Sequence, residues 1–173
     1  ESIATFFEGS SVLTGIYHSN FISFGNMSLI NSGSSDIFIA KIDYNGKWLW
    51  AVRAGGSADD YGKSISTLSE GSSVVTGYFY SKTIYFESSK FVLTNNRISS
   101  DDIFIAMLDS NGNWSWTMSA GGSLDDRSSC CQGCTLRWNE RLDCFYHTSI
   151  SYGCPHCPGH MTCSYILLIQ HQG

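Results

Sequence analysis

Twenty-five residues from Asp36 to Asp60, DIFIAKIDYNGKWLWAVRAGGSADD, return as Asp102 to Asp126, DIFIAMLDSNGNWSWTMSAGGSLDD, at a constant spacing of 102 − 36 = 66 and with sixteen positions identical. A second match, Ser2 to Gly15 against Ser64 to Gly77, has ten of fourteen positions identical at a spacing of 64 − 2 = 62. Tandem similarity of this length means stacked supersecondary units, each burying its apolar surface against the next. The spacing grows from 62 to 66, so the second unit carries 66 − 62 = 4 extra residues between Gly77 and Asp102, where a surface loop absorbs them.

Within a unit every periodic segment reads as strand. Ser11 to Tyr17 and Ser73 to Tyr80 are rich in β-branched and aromatic residues and bounded by turn formers. Ile37 to Ile42 and Ile103 to Leu108 are nearly continuous apolar runs, the pattern of strands covered on both faces. Asn45-Gly46 and Asn111-Gly112 are hairpin signals between these runs and the strands that carry Trp48, Trp50, Trp114 and Trp116. Spaced two apart, the tryptophans of each pair are expected on one face. Four main strands follow for the second unit, at Lys63 to Leu68, Ser73 to Tyr80, Asp102 to Asp109 and Asn113 to Ser119, with a weaker hairpin at Thr83 to Phe86 and Phe91 to Thr94. The fold class is all-β. Four antiparallel strands per repeat suit a propeller blade better than a solenoid coil. A closed ring takes about four to eight blades, and this chain holds about two, units 1–61 and 62–126, so it reads as a fragment of a longer repeat protein or as a piece that associates with others.

Composition narrows the partners. The 173 residues are 42% hydrophobic and 14% charged, typical of a globular chain. A net charge of −5, with ten Lys and Arg scattered singly from Lys41 to Arg141, argues against a nucleic-acid or anionic-membrane surface. The longest late apolar run, Tyr165 to Ile169, falls far short of the roughly 20 residues that span a bilayer.

The combination of TGYF, DIFIA with a following aspartate, Asn-Gly, W-x-W, and AGG followed by DD resembles the bacterial-type β-propeller repeat family known as SBBP, over residues 1 to about 126. The resemblance implies a secreted or surface-exposed multi-blade protein and a non-enzymatic binding scaffold, with a protein or glycan ligand and further blades of the parent chain as partners. It carries no general catalytic residues.

Three sets of residues are candidates for chemistry. Asp59, Asp60, Asp125 and Asp126, with Asp43 and Asp109, would supply oxygen ligands to Ca²⁺ from one face of a ring. The alternative favoured by their Gly/Asn neighbours is that they cap backbone N–H groups in turns. The tryptophan pairs read either as a carbohydrate-stacking platform or, more in keeping with their repetition, as packing between blades.

The third set lies in the tail, 127–173, which holds all seven cysteines. Cys131-x₂-Cys134 and Cys154-x₂-Cys157, separated by 154 − 134 − 1 = 19 residues, have the two-knuckle spacing of a structural zinc site. His156, His160 and Cys163 are spare ligands, and Cys130 and Cys144 are left over. A disulfide-bonded cap and an out-of-frame segment are the competing readings of this irregular stretch, where repeat identity stops after Asp126. Cys154 with His156, or Cys157 with His160, matches no catalytic signature, and His18 stands alone, so no enzyme is expected.

Overall fold

The computed structural model describes residues 1–86, 91–95, 97 and 100–128. The Cys-rich stretch, including Cys131, Cys134, Cys154 and Cys157, lies outside the described residues. Twelve strands and no helices occupy them: β1 (Ser2–Thr5), β2 (Ser11–Tyr17), β3 (Phe21–Phe24), β4 (Met27–Ile30), β5 (Asp36–Ile42), β6 (Trp48–Gly55), β7 (Asp60–Thr67), β8 (Ser73–Phe79), β9 (Thr83–Phe86), β10 (Phe91–Thr94), β11 (Asp102–Leu108) and β12 (Trp114–Ala120).

Two four-stranded antiparallel blades result, in the orders β1-β2-β5-β6 and β7-β8-β11-β12. Each follows from the local sequence. Gly46 and Gly112 take the positive φ values, 83° and 85°, that their turns need, and the carboxylates of Asp43 and Asp109 close those turns by accepting backbone N–H groups. Each loop is five residues long, Asp43 to Lys47 and Asp109 to Asn113, longer than the two-residue turn that Asn-Gly often marks.

The expected small hairpin of the second unit is present as β9 and β10, and the first unit has the same element in β3 and β4. The second hairpin joins the blades. β9 pairs with the outer strand of the preceding blade, Ala54 with Phe86 and Gly55 with Tyr85, while β10 lies against β12 of its own blade. Phe86 then meets Phe104 and Trp114, with centroids 5.8 and 4.9 Å apart. The first unit builds the same triad from Phe24, Phe38 and Trp48, at 5.3 and 4.9 Å. Asn31 and Asn95 brace the hairpins identically, donating to the carbonyls of Tyr17 and Ser34 and of Phe79 and Ser100. Their spacing is 95 − 31 = 64, so two of the four inserted residues precede Asn95 and two follow it.

Face-to-face stacking supplies the core. Ile37, Ile39, Val12, Val52 and Ala54 of the first blade pack with Ile65, Val75, Phe79, Phe104, Ala106, Leu108 and Trp114 of the second, around Ile84 and Phe86 of the hairpin. A smaller cluster, Tyr17, Phe24, Leu29 and Ala40, lies under the first hairpin.

Two expectations fail here for identifiable reasons. The strand from Ile103 to Leu108 is not covered on both faces: Phe104, Ala106 and Leu108 are buried, but Ile103, Ile105 and Met107 are only half-buried, because no blade beyond the second is present among the described residues. Nor do the tryptophans of a pair share a face. Register shifts in the β5–β6 and β11–β12 ladders place an extra residue between them. Trp48 therefore turns to the hairpin cluster and Trp50 to the inter-blade core.

Candidate functional site

The blade ends bring the candidate residues together. At one end lie the Gly-Gly-Ser-x-Asp-Asp connectors. Asp36, fully buried at the start of β5, accepts from the Ser32 N–H at 2.9 Å and from Arg53 at 2.6 Å. Its carboxyl rests on the α-carbon of Gly55, where any Cβ would collide with it; Gly121 stands in the same relation to Asp102. Burial raises the pKa of Asp36 despite the opposing pull of Ser32 and Arg53.

Asp60 is deeper in the same network. Its carboxylate accepts from the Gly56 N–H at 2.7 Å, the Ser81 hydroxyl at 2.8 Å and the Ser81 N–H at 3.2 Å. Burial nevertheless pushes it up to about 6, with the Asp36 charge acting in the same direction. Asp59 accepts from the Ser35 hydroxyl at 2.8 Å, Asp125 from the Asp101 N–H at 3.2 Å and Asp126 from the Gly122 N–H at 2.7 Å. The aspartates thus fasten each connector to the strand ends beside it. No group of three His, Cys, Asp or Glu side chains gathers around a metal-sized space among the described residues. Asp43 and Asp109 lie at the opposite end of the blades, inside their turns.

Trp48, Trp50 and Trp114 are absorbed by packing, while Trp116 is half-buried on the outer face of the second blade. Trp50 covers Gly112 in the second blade and donates its indole N–H to the Ser110 carbonyl at 3.1 Å, while Trp114 is buried against Phe86. Within each blade Thr14 and Thr76 hydrogen-bond the carbonyls of Phe38 and Phe104, at 3.0 and 2.7 Å. The threonine of the TG motif is therefore a ladder clamp between neighbouring strands.

What sequence reading missed is at the turn end of the first blade. Phe7, in the β1–β2 turn, is fully exposed, and Tyr44, in the β5–β6 turn, is 77% exposed. The two turns stand side by side at one end of the blade, because β2, which leaves the first turn, pairs with β5, which enters the second, with Ser11 opposite Ile42. Lys41, on β5, anchors the first of these turns, with its ammonium 4.1 Å from the centroid of the Phe6 ring and 3.7 Å from Glu8. In the second blade the equivalent positions, 7 + 62 = 69 and 44 + 66 = 110, are serines. The fold tolerates serine at both places, so the two aromatics are not there to build a blade. The signal lay in the differences between units, which attention to their identities passes over.

No family model matches the chain. It is 27% identical over 124 residues to an uncharacterized WD repeat-containing protein of Acanthamoeba polyphaga mimivirus, an alignment covering 64% of this chain and 9% of that protein. The chain spans under a tenth of the relative's length. The similarity agrees with the blade architecture in pointing to a β-propeller-like repeat fold. No helix among the described residues is long and apolar enough to cross a membrane.

Proposed function

We propose that the chain is part of a propeller-type, non-enzymatic protein-interaction scaffold, with the Phe7–Tyr44 turn face of the first blade as its contact patch. One observation carries the reading: two large aromatics stand exposed on adjoining turns where the second, otherwise matching blade has serines. Exposed aromatics on a rigid frame are what interface anchors are made of, and loops carry the binding function of repeat scaffolds. The strands and connectors spend their polar groups on one another, which supports a frame without chemistry of its own. The WD repeat-containing relative supports a protein partner. The SBBP resemblance adds the finer proposal of a secreted or surface-exposed parent protein.

A photo-crosslinking residue placed at Phe7 or Tyr44, and in control chains at Ser69 or Ser110, tests this in the source cells. Adducts to one protein from the first pair alone are expected. Once that protein is isolated, the Phe7→Ser/Tyr44→Ser chain should bind it at least tenfold more weakly while melting as wild type does. Equal adducts from both pairs, or undiminished binding by the double variant, would remove the patch.

A further inference from the structure

The outer face of the second blade repeats, position by position, a face whose covering is visible elsewhere in the molecule. On the first blade Ile37 and Ile39 are fully buried and Val52 is 8% exposed, because β7 lies across β1, β2 and β5. Their equivalents are Ile103, Ile105 and Met118, and Met118 is 61% exposed. Trp116 is the equivalent of Trp50, the indole that seats on the next blade's Asn-Gly turn.

The matching surface exists on the first blade. Ile65, which the second blade presents to the first, is 5% exposed; its equivalent Ile3 is 66% exposed. Gly112 lies under Trp50, whereas Gly46 has nothing within 4 Å of where its Cβ would be. The edge of β9 is paired to β6, whereas among the described residues β3 pairs only with β4. Charge fits as well. Glu1 and Lys63 occupy equivalent positions, 1 + 62 = 63, and meet across the blade junction at 3.1 Å. Between two copies the same contact again sets Lys63 against Glu1.

The path of the chain already turns toward this junction. Asp126 donates its N–H to Asp101 at 2.8 Å, as Asp60 does to Ser35 at 3.0 Å. Ser128, the equivalent of Gly62, donates to the Gly77 carbonyl at 2.8 Å and lies 3.0 Å from the Thr76 hydroxyl. Two residues past the last repeated aspartate, the backbone still follows the opening of a blade.

We propose that the uncovered face of the second blade docks the first blade of a second copy of this chain, head to tail. Trp116 seats over Gly46 of the neighbour as Trp50 does over Gly112, leaving the Tyr44 side chain outward as Ser110 is at the existing junction, and Met118, Ile103 and Ile105 meet the side of its β1 that carries Ile3. The contact is heterologous, so it propagates until the ring closes, at about two to four copies for a ring of four to eight blades.

Sedimentation velocity of the full chain under reducing conditions, over a wide concentration range, reads the assembly. Wild type should associate, and Met118→Arg and Ile3→Arg should each remain monomeric. A one-to-one mixture of the two variants should form a dimer and nothing larger, since each retains the face that the other lacks. Should either arginine variant lose its strand signal by circular dichroism, Trp116→Ala or Ile3→Ser replaces it with the same expected outcome. A wild-type monomer at every concentration, as when residues after 128 cover the face, would overturn the proposal. So would association undiminished by the variants, or a mixture that stays monomeric while wild type assembles.

Discussion

The Ile37–Ile39 face of β5 and the Ile103–Ile105 face of β11 are built from the same DIFIA sequence and end in different environments. The first is sealed by β7 and fully buried; the second is half-buried, with Met118 beside it open to solvent. An identical strand therefore has no intrinsic burial. What it contributes to stability depends on whether a neighbouring blade removes it from water, and that contribution belongs to the junction and not to the repeat.

The largest expected effect comes from breaking the sealed side. Ile39→Ala should cost about 2–5 kcal/mol in denaturant unfolding, the usual range for a buried isoleucine. Ile105→Ala should cost well under half as much in dilute protein; equal losses would mean that the second face is also sealed in solution.

The connector comes next. Asp60 has a folded-state pKa near 6, above the ordinary 3.8 of a free aspartate, so the native state holds its proton more tightly than the unfolded chain does. The resulting stabilisation is complete below pH 3.8 and is lost as pH rises through about 6. Its size is on the order of 3 kcal/mol at about 1.4 kcal/mol per tenfold change in proton affinity. Subtracting the pH dependence of an Asp60→Asn variant from that of wild type isolates this contribution. A difference curve that is flat between pH 4 and 7 would sink it.

A smaller contrast lies between Gly62, in β7, and Ser128, its equivalent after the second connector. A Cβ at Gly62 would run into the Thr14 hydroxyl and the Ile37 side chain, while Ser128 sits comfortably at the equivalent position against Gly77. Gly62→Ser should lower stability by about 1–3 kcal/mol as an overpacked junction, and Ser128→Gly by the smaller loss of its buried hydrogen bond to the Gly77 carbonyl, about 0.5–1.5 kcal/mol. Similar losses at both sites would show that the glycine answers to backbone conformation and not to the closeness of the blades. The least effect is expected from the tryptophans. Trp50→Phe gives up one indole hydrogen bond to Ser110, about 0.5–1.5 kcal/mol, and Trp116→Phe should leave the monomer's melting point where it was.

Much of the blade was legible in the chain. The strand at Ser11–Tyr17 was bounded correctly because Gly and Ser flank a β-branched run, and the β9–β10 hairpin was found at its true limits. The equivalent β3–β4 hairpin went unread because its residues, FISF and MSLI, carry no alternation strong enough to stand out. The tryptophan faces were misassigned because a bulge adds one residue to a period of two, and that residue reverses every side chain beyond it. The aspartates were placed correctly as backbone caps at Asp43 and Asp109, where the partners are two to four residues away. For Asp60 the main partner is Ser81, 21 residues on, and spacing within a connector cannot disclose it.

By itself the sequence determined the repeat, the all-β class and the turns, since each depends on residues close together along the chain or on its repetition. Only the tertiary structure decided which face of each strand is buried, that Asp36 is packed under Gly55 while Asp60 binds Gly56 and Ser81, and that Phe7 and Tyr44 stand exposed on neighbouring turns. These rest on contacts between units, where two copies of one sequence acquire different neighbours. Burial, proton affinity and exposure are set by those neighbours and not by the residues alone.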